Sequence, residues 1–230
     1  MSNTHSIDLA TYFFARLAQL GITSLHGVPG DYNLTALDYL PAAGIKWVGN
    51  CNELNAGYAA DGYARIKGMG AVTTVFGVGE LSAINAIAGS FAEKVPVVHI
   101  VGMPSTKSQR DGMLMHHSLG NGDFRVFADM AARVSVAQAN LDNVTTAAED
   151  IDRVLRECWL HKRPVYTQLP TDMVTQKVDA SRLKKPIDMT MPKPSAQLEE
   201  AVIEAILTKL DAAKRPMIVV DGGAQRHRVS

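Results

Sequence analysis

The chain contains 230 residues, of which 47 % are apolar and 20 % are charged. This balance is typical of a globular protein with a sizeable core, and it excludes collagen-like and low-complexity chains. The 23 Lys and Arg residues are balanced by 23 Asp and Glu residues. Composition therefore disfavours a general nucleic-acid binder or membrane-surface binder, since such proteins are usually basic.

The two cysteines, Cys51 and Cys158, lie far apart and have no neighbouring metal-ligand pattern. This disfavours a zinc site or a disulfide scaffold and indicates a reducing compartment. The first 21 residues lack a basic n-region, and Asp8 and Arg16 interrupt their apolar face, so we predict no signal peptide. No apolar run reaches the roughly 18 residues of a membrane span. We therefore expect a cytoplasmic protein.

Helix and strand patterns alternate along the chain. Apolar periodicity predicts a first helix with Ser6 as its N-cap and its end at Gly21. The predicted strands that follow are 23–28, 45–49, 71–76, 96–101, 134–137 and 164–169. The predicted helices are 32–40, 52–67, the segment from Gly79 to Lys94, 123–133 and 144–161. This alternation predicts an α/β domain with a doubly wound, mostly parallel sheet.

Residues 103–122 show no periodicity, and loops of this length are often functional. Prolines at 186, 192 and 194 indicate a linker. We expect a first domain at 1–184, a linker at 185–196 and the beginning of a second α/β domain at 197–230. A helix at 198–212 and a strand at 216–220 cannot bury a core alone, so we expect the remainder of that domain to lie outside this chain.

Doubly wound sheets bind ligands beyond the carboxyl ends of their strands, where two acidic residues occur. Asp31 follows the first predicted strand and could serve only as a helix cap. Glu53 begins a helix rich in small residues such as Ala56 and Gly57. It could simply complement the helix dipole. Alternatively, a second surface approaching the small residues would desolvate Glu53 and suit it to general acid–base chemistry.

Two further segments follow later strands. Gly77-Val78-Gly79 resembles a dinucleotide-binding loop, but Ser82 replaces its final glycine, which disfavours a nucleotide site. His116 and His117 lie in the long loop. They are either solvated surface residues or imidazoles that transfer protons near neutral pH. The pattern thus predicts two acids and two histidines at strand ends without defining a reaction.

Five segments carry a family resemblance: HGVPGDYNL at 26–34, NELNAGYAADGYAR at 52–65, residues 75–85, HIVGMPST at 99–106 and MHHSLG at 115–120. With them the chain resembles the N-terminal, pyrimidine-binding domain of the thiamine-diphosphate-dependent 2-oxo acid decarboxylases, and most closely the fungal pyruvate decarboxylases. The resemblance runs over essentially the whole chain in unbroken order.

The resemblance implies non-oxidative decarboxylation of a 2-oxo acid, most closely of pyruvate to acetaldehyde and CO₂, through the ylide of thiamine diphosphate. It implies that Glu53 hydrogen-bonds N1′ of the aminopyrimidine and so activates the cofactor. It also implies that Asp31, His116 and His117 transfer protons and place the substrate carboxylate. The residues expected to line the pyrimidine pocket are Pro29, Thr73 and Val78.

The same resemblance gives expectations about regulation and assembly. Gly223 occupies the position of a regulatory cysteine, which argues against cysteine-based activation. Arg226 agrees with a residue of that effector site, whereas Trp159 replaces a tyrosine there. Family members place the cofactor between subunits, which implies a homodimer or homotetramer. The diphosphate and Mg²⁺ domain, with its GDG…NN motif, would lie beyond residue 230. No metal ligand is therefore expected in this chain, and the chain alone is expected to be inactive.

Three alternatives remain at this point. An indolepyruvate or phenylpyruvate decarboxylase would share the chemistry but take a larger side chain. A non-catalytic assembly module, or a truncated product of the same family, would pair with longer partners and expose apolar area around helix 52–67. A nucleotide-binding protein would need the complete glycine loop. Neither nucleic acid nor membrane is expected as a partner.

Overall fold

The computed structural model describes residues 6–227. These residues form two compact units that divide between Asp188 and Met189, and each unit is described separately. In chain order the strands of the first unit are β1 (Ser6–Asp8), β2 (Ser24–Gly27), β3 (Lys46–Gly49), β4 (Gly70–Val75), β5 (Val97–Met103), β6 (Gln138–Asn140), β7 (Val165–Pro170) and β8 (Lys177–Asp179).

Helices connect these strands. They are α1 (Leu9–Gln19), α2 (Leu34–Leu37), α3 (Glu53–Lys67), α4 (Val78–Ala92), α5 (Thr106–Arg110), α6 (Val126–Ala131) and α7 (Val144–His161), with 3₁₀ turns at Pro41–Ala43 and Ala180–Lys184. Within residues 6–227, six strands form a parallel sheet in the order β3-β2-β4-β5-β7-β6. The predicted α/β fold with a doubly wound parallel sheet is confirmed.

The two faces of the sheet are covered by different helices. Successive strand residues point to opposite faces, so Ala71 and Val98 pack in one cluster with residues of α1 and α7. Their chain neighbours Val72 and Val97 pack in another cluster with alanines of α3. Strands covered on both faces become continuous apolar runs, as β5 shows.

Two local predictions fail at the start of the chain. Ser6 is not a helix cap, because Ser6–Asp8 pairs antiparallel with Lys177–Asp179 and α1 begins at Leu9. That pairing joins residues distant in sequence, which local periodicity cannot reveal. The helix predicted at 32–40 shrinks to Leu34–Leu37. Asn33 accounts for the later start, since its side chain bonds back to the Gly30 N–H at 2.9 Å and the Val28 carbonyl at 3.1 Å. At the other end, Tyr39 and Leu40 form tighter turns by bonding the carbonyls of Ala36 and Leu37.

Two other boundaries also shift. The strand predicted at 134–137 lies instead at Gln138–Asn140, so the β-branched residues Val134 and Val136 precede it. The helix predicted at 123–133 covers only Val126–Ala131. The Asp123 carboxylate accepts the Arg125 and Val126 N–H groups at 2.8 and 3.2 Å, which holds the preceding residues in a turn.

The second unit contains α8 (Ala196–Ala212) and α9 (Gly222–His227). Ser195 caps α8 by accepting the Leu198 N–H at 3.2 Å. The strand predicted at 216–220 is wrong, because no strand forms in residues 189–227. A strand needs a neighbour for its backbone groups, and this part of the chain offers none. Nowhere in residues 6–227 is a helix long and apolar enough to cross a membrane.

A buried ion pair joins α1 to α7. The Arg16 guanidinium, 2 % exposed, donates to both carboxylate oxygens of Asp152 at 2.8 and 2.9 Å and to the carbonyls of Arg182 and Lys185. The Tyr12 hydroxyl also donates to Asp152 at 2.8 Å. Burial, followed by the hydrogen bond to Asp152, raises the pKa of Tyr12 to about 12. These bonds satisfy charges that would otherwise be costly to bury.

We predict that Asp152→Ala lowers the free energy of unfolding by about 3 kcal/mol, because Arg16 would keep its charge in the interior without a counter-ion. The matched control is Asp150→Ala on the same helix, which removes a more exposed pair with Arg153. That change should cost less than about 1 kcal/mol. Urea unfolding followed by circular dichroism measures both. Equal losses would contradict the prediction.

Candidate functional site

The strand order changes direction between β2 and β4. The chain leaves β2 for β3 on one side, whereas it leaves β4 for β5 on the other side. Adjacent parallel strands whose connections diverge leave a crevice beyond their carboxyl ends, where ligands bind in open α/β sheets. The segments that follow β2, β3, β4 and β5 carry Asp31, Glu53, Gly77 and His116, respectively.

Asp31 lies in the turn after β2. Asn33 is the N-cap residue of α2, so Asp31 does not cap that helix and the simplest structural explanation for it fails. Its side chain is 76 % exposed, and its Oδ2 lies 3.4 Å from Nε2 of His116. The structure therefore brings together two of the residues that the sequence singled out, one from each side of the crevice.

Tyr32 holds His116 in place. Its ring stacks on the imidazole, with centroids 4.8 Å apart and planes 15° apart. Its hydroxyl lies 3.2 Å from both Nδ1 and the backbone carbonyl oxygen of His116. Tyr32 is buried, and burial raises the pKa of its hydroxyl, followed by the charge of Asp31. Sequence analysis missed this role, although Tyr32 directly follows Asp31.

His117 turns the loop back onto the domain. Its φ of +69° is unusual for a residue with a side chain, and its ring meets that of His116 edge to face at 4.7 Å. A Cβ at Gly77 would lie 2.0 Å from the His117 carbonyl oxygen, so only glycine permits this approach. In the described part of the chain, the buried Nδ1 of His117 has no hydrogen-bond partner.

Glu53 is the first residue of α3. Asn52 caps this helix by accepting the Asn55 N–H at 2.8 Å. The Glu53 carboxylate is half-buried and faces the first turn of α4, where a Cβ at Gly79 would lie 3.2 Å from Oε1. Among residues 6–227, no hydrogen bond or ion pair engages this carboxylate. It is free to bond an incoming ligand.

Val75, the last residue of β4, separates Glu53 from the Asp31 turn. One of its methyl groups would lie 2.7 Å from a Cβ at Gly30, and the other 2.8 Å from a Cβ at Gly79. Gly79 in turn faces Glu53. The two predicted acids therefore lie on opposite sides of one buried side chain, which places both at the crevice.

The three predicted pocket residues differ in accessibility. Pro29 is exposed and Val78 is 59 % exposed at the start of α4, so both are available to a ligand. Thr73 is buried in β4, where its methyl group packs against Gly27. The role of these three side chains as cofactor contacts stays a prediction.

The small residues of α3 let a second surface approach closely, as expected, and that surface is α4 of the same chain. Ala56, Gly57, Ala60 and Ala64 are buried by this chain itself. A Cβ at Gly57 would lie 2.7 Å from the Cβ of Ala86 on α4. Most of the small-residue face thus packs inside the domain and is not open to another molecule. Exposed apolar side chains near this helix are instead Tyr58 and Ile66.

The predicted effector residues belong to different units. Trp159 lies on α7 in the first unit, with the Lys162 ammonium 3.1 Å from its ring centroid. Arg226 and Gly223 lie on α9 in the second unit. An effector site built from them stays a prediction. No group of three or more His, Cys, Asp or Glu residues in 6–227 could hold a metal ion.

We predict that Gly77→Ala displaces the loop around His117, because the new methyl group would collide with a backbone oxygen at positive φ. The expected loss of unfolding free energy is about 1–3 kcal/mol, with faster chymotrypsin cleavage at Leu114 and Leu119. Gly62→Ala is the control. Its methyl group meets no atom within 4 Å and should stabilise α3 by about 0.5–1 kcal/mol. Unchanged cleavage in Gly77→Ala would contradict the assignment.

A known protein family matches the part of the chain that forms this crevice. Residues 7–123 match the family described as "Thiamine pyrophosphate enzyme, N-terminal TPP binding domain". The match covers just over half of the 230 residues and includes Asp31, Glu53, Gly77 and both histidines.

Similar curated proteins extend the likeness to most of the chain. A pyruvate decarboxylase of Aspergillus fumigatus is 60 % identical over 223 residues, covering 97 % of this chain and 39 % of the relative. A pyruvate decarboxylase of Candida glabrata and pyruvate decarboxylase isozyme 1 of Saccharomyces cerevisiae are each 49 % identical over 224 residues, covering 97 % of this chain and 40 % of each relative. The chain spans about two fifths of the length of these relatives. It belongs to the thiamine pyrophosphate enzyme family and contains the N-terminal cofactor-binding domain of that family.

Proposed function

We propose that this chain supplies the pyrimidine-binding half of a decarboxylase site that converts pyruvate to acetaldehyde and CO₂. The observation that carries the proposal is the unpartnered, half-buried Glu53 carboxylate, which lies across Val75 from the Asp31–His116 pair. A half-buried acid without a structural partner, in a crevice that also holds an imidazole, is suited to proton transfer.

The residues of the crevice fit thiamine diphosphate. Glu53 would bind the cofactor's aminopyrimidine by sharing a proton with ring nitrogen N1′, and Gly79 leaves room beside the carboxylate because it has no side chain. Nδ1 of His117, which has no hydrogen-bond partner in residues 6–227, is a second group that could bond a ligand. When bound, thiamine diphosphate supplies the electron sink that allows CO₂ to leave a 2-oxo acid.

The Asp31–His116–His117 group would handle protons on the substrate side. An imidazole changes charge near neutral pH, so His116 can hold a proton at Nε2 and deliver it to a reacting carbon or oxygen. Asp31 lies at that nitrogen, while Tyr32 stacks on the ring and limits its rotation. Asp31 thereby places a carboxylate beside the nitrogen that would carry the proton.

The substrate assignment rests on similarity. The relatives reported above are named pyruvate decarboxylases at 49 % identity or more, which favours pyruvate over indolepyruvate or phenylpyruvate. A dinucleotide is disfavoured for a structural reason. The His117 carbonyl and the Glu80 carboxylate both occupy the Gly77 turn where a pyrophosphate would have to bind.

The remaining parts of the proposal concern the intact protein. Residues outside this chain would bind the diphosphate and Mg²⁺, and residues 197–230 would begin the domain that leads to them. Pairing of subunits into a homodimer or homotetramer would complete each site. We further propose that the protein acts in fermentation in the cytoplasm. Because residue 223 is glycine, we propose that regulation of the enzyme does not use a cysteine at this position.

We predict that Glu53→Gln lowers kcat by about 100- to 10,000-fold, because an amide cannot exchange a proton with N1′. The test grafts residues 1–230 onto the remainder of the Aspergillus fumigatus relative and measures acetaldehyde from pyruvate with thiamine diphosphate and Mg²⁺. Glu157→Gln is the matched control, since within residues 6–227 that carboxylate bonds the exposed His161 alone. It should leave kcat unchanged.

The ungrafted 230-residue chain is the second control and should form no acetaldehyde. A folded, assembled graft without activity would overturn the proposal. Full activity in Glu53→Gln would remove the role given to this carboxylate, and turnover by the ungrafted chain would show that it already holds a complete site.

A further inference from the structure

A chain of hydrogen bonds runs beneath the crevice from β7 to the start of α4. Arg125 donates from a guanidinium nitrogen to Oε1 of Gln168 at 2.7 Å, and Nε2 of Gln168 donates to the Tyr166 hydroxyl at 3.1 Å. The Tyr166 hydroxyl donates to Oε2 of Glu80 at 2.6 Å. Oε1 of Glu80 accepts the Gly77 N–H at 2.9 Å. The chain therefore ends on the turn that carries His117.

Arg125 fixes the orientation of the Gln168 amide in this chain. Arginine can only donate, so the carbonyl end of the Gln168 amide must face Arg125 and its NH₂ end must face Tyr166. The Tyr166 oxygen accepts that N–H and directs its own hydrogen at Glu80. In this arrangement Glu80 accepts at both oxygens, which the ionised carboxylate does best, whereas the protonated acid turns one acceptor into a donor.

The middle of the chain is shielded from water. Glu80 is 4 % exposed, and Tyr166 and Gln168 are also buried. A cavity of about 10 Å³ beside Glu80 is lined by His99 and Tyr166, which leaves room for no more than about one water molecule. Hydrogen bonds in such surroundings are stronger than in solvent, and an unsatisfied group is costly.

Burial raises the pKa of Glu80 to about 7, although the bonds from Tyr166 and Gly77 oppose this. The other titratable groups facing it are Tyr166 from β7 and His99 from β5, whereas Arg125 acts through Gln168. Burial also lowers the pKa of His99 to about 4 and raises that of Tyr166. Glu80 is thus the member of this group that changes charge near neutral pH.

We propose that Glu80 is a positioning residue that fixes the Gly77 turn and, through it, the backbone of His117 and the His116–His117 pair. The role given to that pair rests on the proposed function, but the positioning itself is a property of this chain. Glu80 touches neither histidine side chain. It acts through the Gly77 N–H, and the contact between Gly77 and the His117 carbonyl passes the constraint to the loop.

The test compares wild type, Glu80→Gln and Tyr166→Phe in the 230-residue chain by amide hydrogen exchange, with protection factors read at Gly77 and at 115–119. Glutamine keeps the size of Glu80 but presents a donor to Tyr166, as the protonated acid does. We expect protection to fall about fivefold, the difference between a charged and a neutral acceptor. Glu93→Gln, at the exposed end of the same helix, should change neither value.

The pH profile distinguishes positioning from general stabilisation. In wild type, protection at Gly77 and 115–119 should rise as pH increases through about 7, because Glu80 becomes a charged acceptor. The urea midpoint relative to Glu80→Gln should fall as pH rises from about 4.5 to about 7, because the native state holds the proton more tightly than the unfolded chain. A rise in amide protection together with a fall in the urea midpoint is expected only if Glu80 orders the loop.

Unchanged protection at 115–119 in both variants would overturn the inference, as would protection and the urea midpoint moving in the same direction with pH. If Glu80→Gln fails to fold, Tyr166→Phe and the wild-type pH profile decide the outcome. None of these readouts depends on turnover. A failure here leaves the Glu53→Gln activity test intact, and a failure of that test leaves this result intact.

Discussion

The His117 carbonyl oxygen rests against the α-carbon of Gly77, and the geometry of the crevice depends on this contact. It brings the loop after β5 to the end of β4, and so brings His116 to the carboxylate of Asp31. Any side chain at position 77 would collide with the oxygen. A left-handed backbone at both residues makes the approach possible. The site therefore requires a glycine where the reaction itself requires no functional group.

Two carboxylates in this domain, the partly buried Asp152 and the buried Glu80, meet opposite electrostatic conditions. Asp152 faces the Arg16 guanidinium, and the pair joins two helices through bonds that satisfy both charges. Among the residues from 6 to 227, Glu80 forms no ion pair and is held by a phenol and a backbone N–H. Neutral donors compensate a buried charge less completely than a cation does. The first carboxylate is thus suited to stability, whereas the second can change its protonation state near the crevice.

Sequence patterns predicted the long elements well. Helix 144–161 was predicted with the bounds that the structure shows, and the parallel character of the sheet followed from alternation alone. The two acids and two histidines lie at strand ends as expected. What failed depends on a contact between distant residues, the pairing of Ser6–Asp8 with Lys177–Asp179. The stacking of Tyr32 on His116 likewise has no signal in local periodicity, because 84 residues separate the two rings.

The ribbon formed by β1 and β8 has a consequence for how this domain is connected to its surroundings. Ser6 pairs with Asp179. The first strand of this unit therefore begins beside the point where its last strand ends. A module with adjacent entry and exit can be inserted into, or exchanged between, larger polypeptides without threading through the host. Recombination could therefore insert this unit into other proteins without disrupting the crevice.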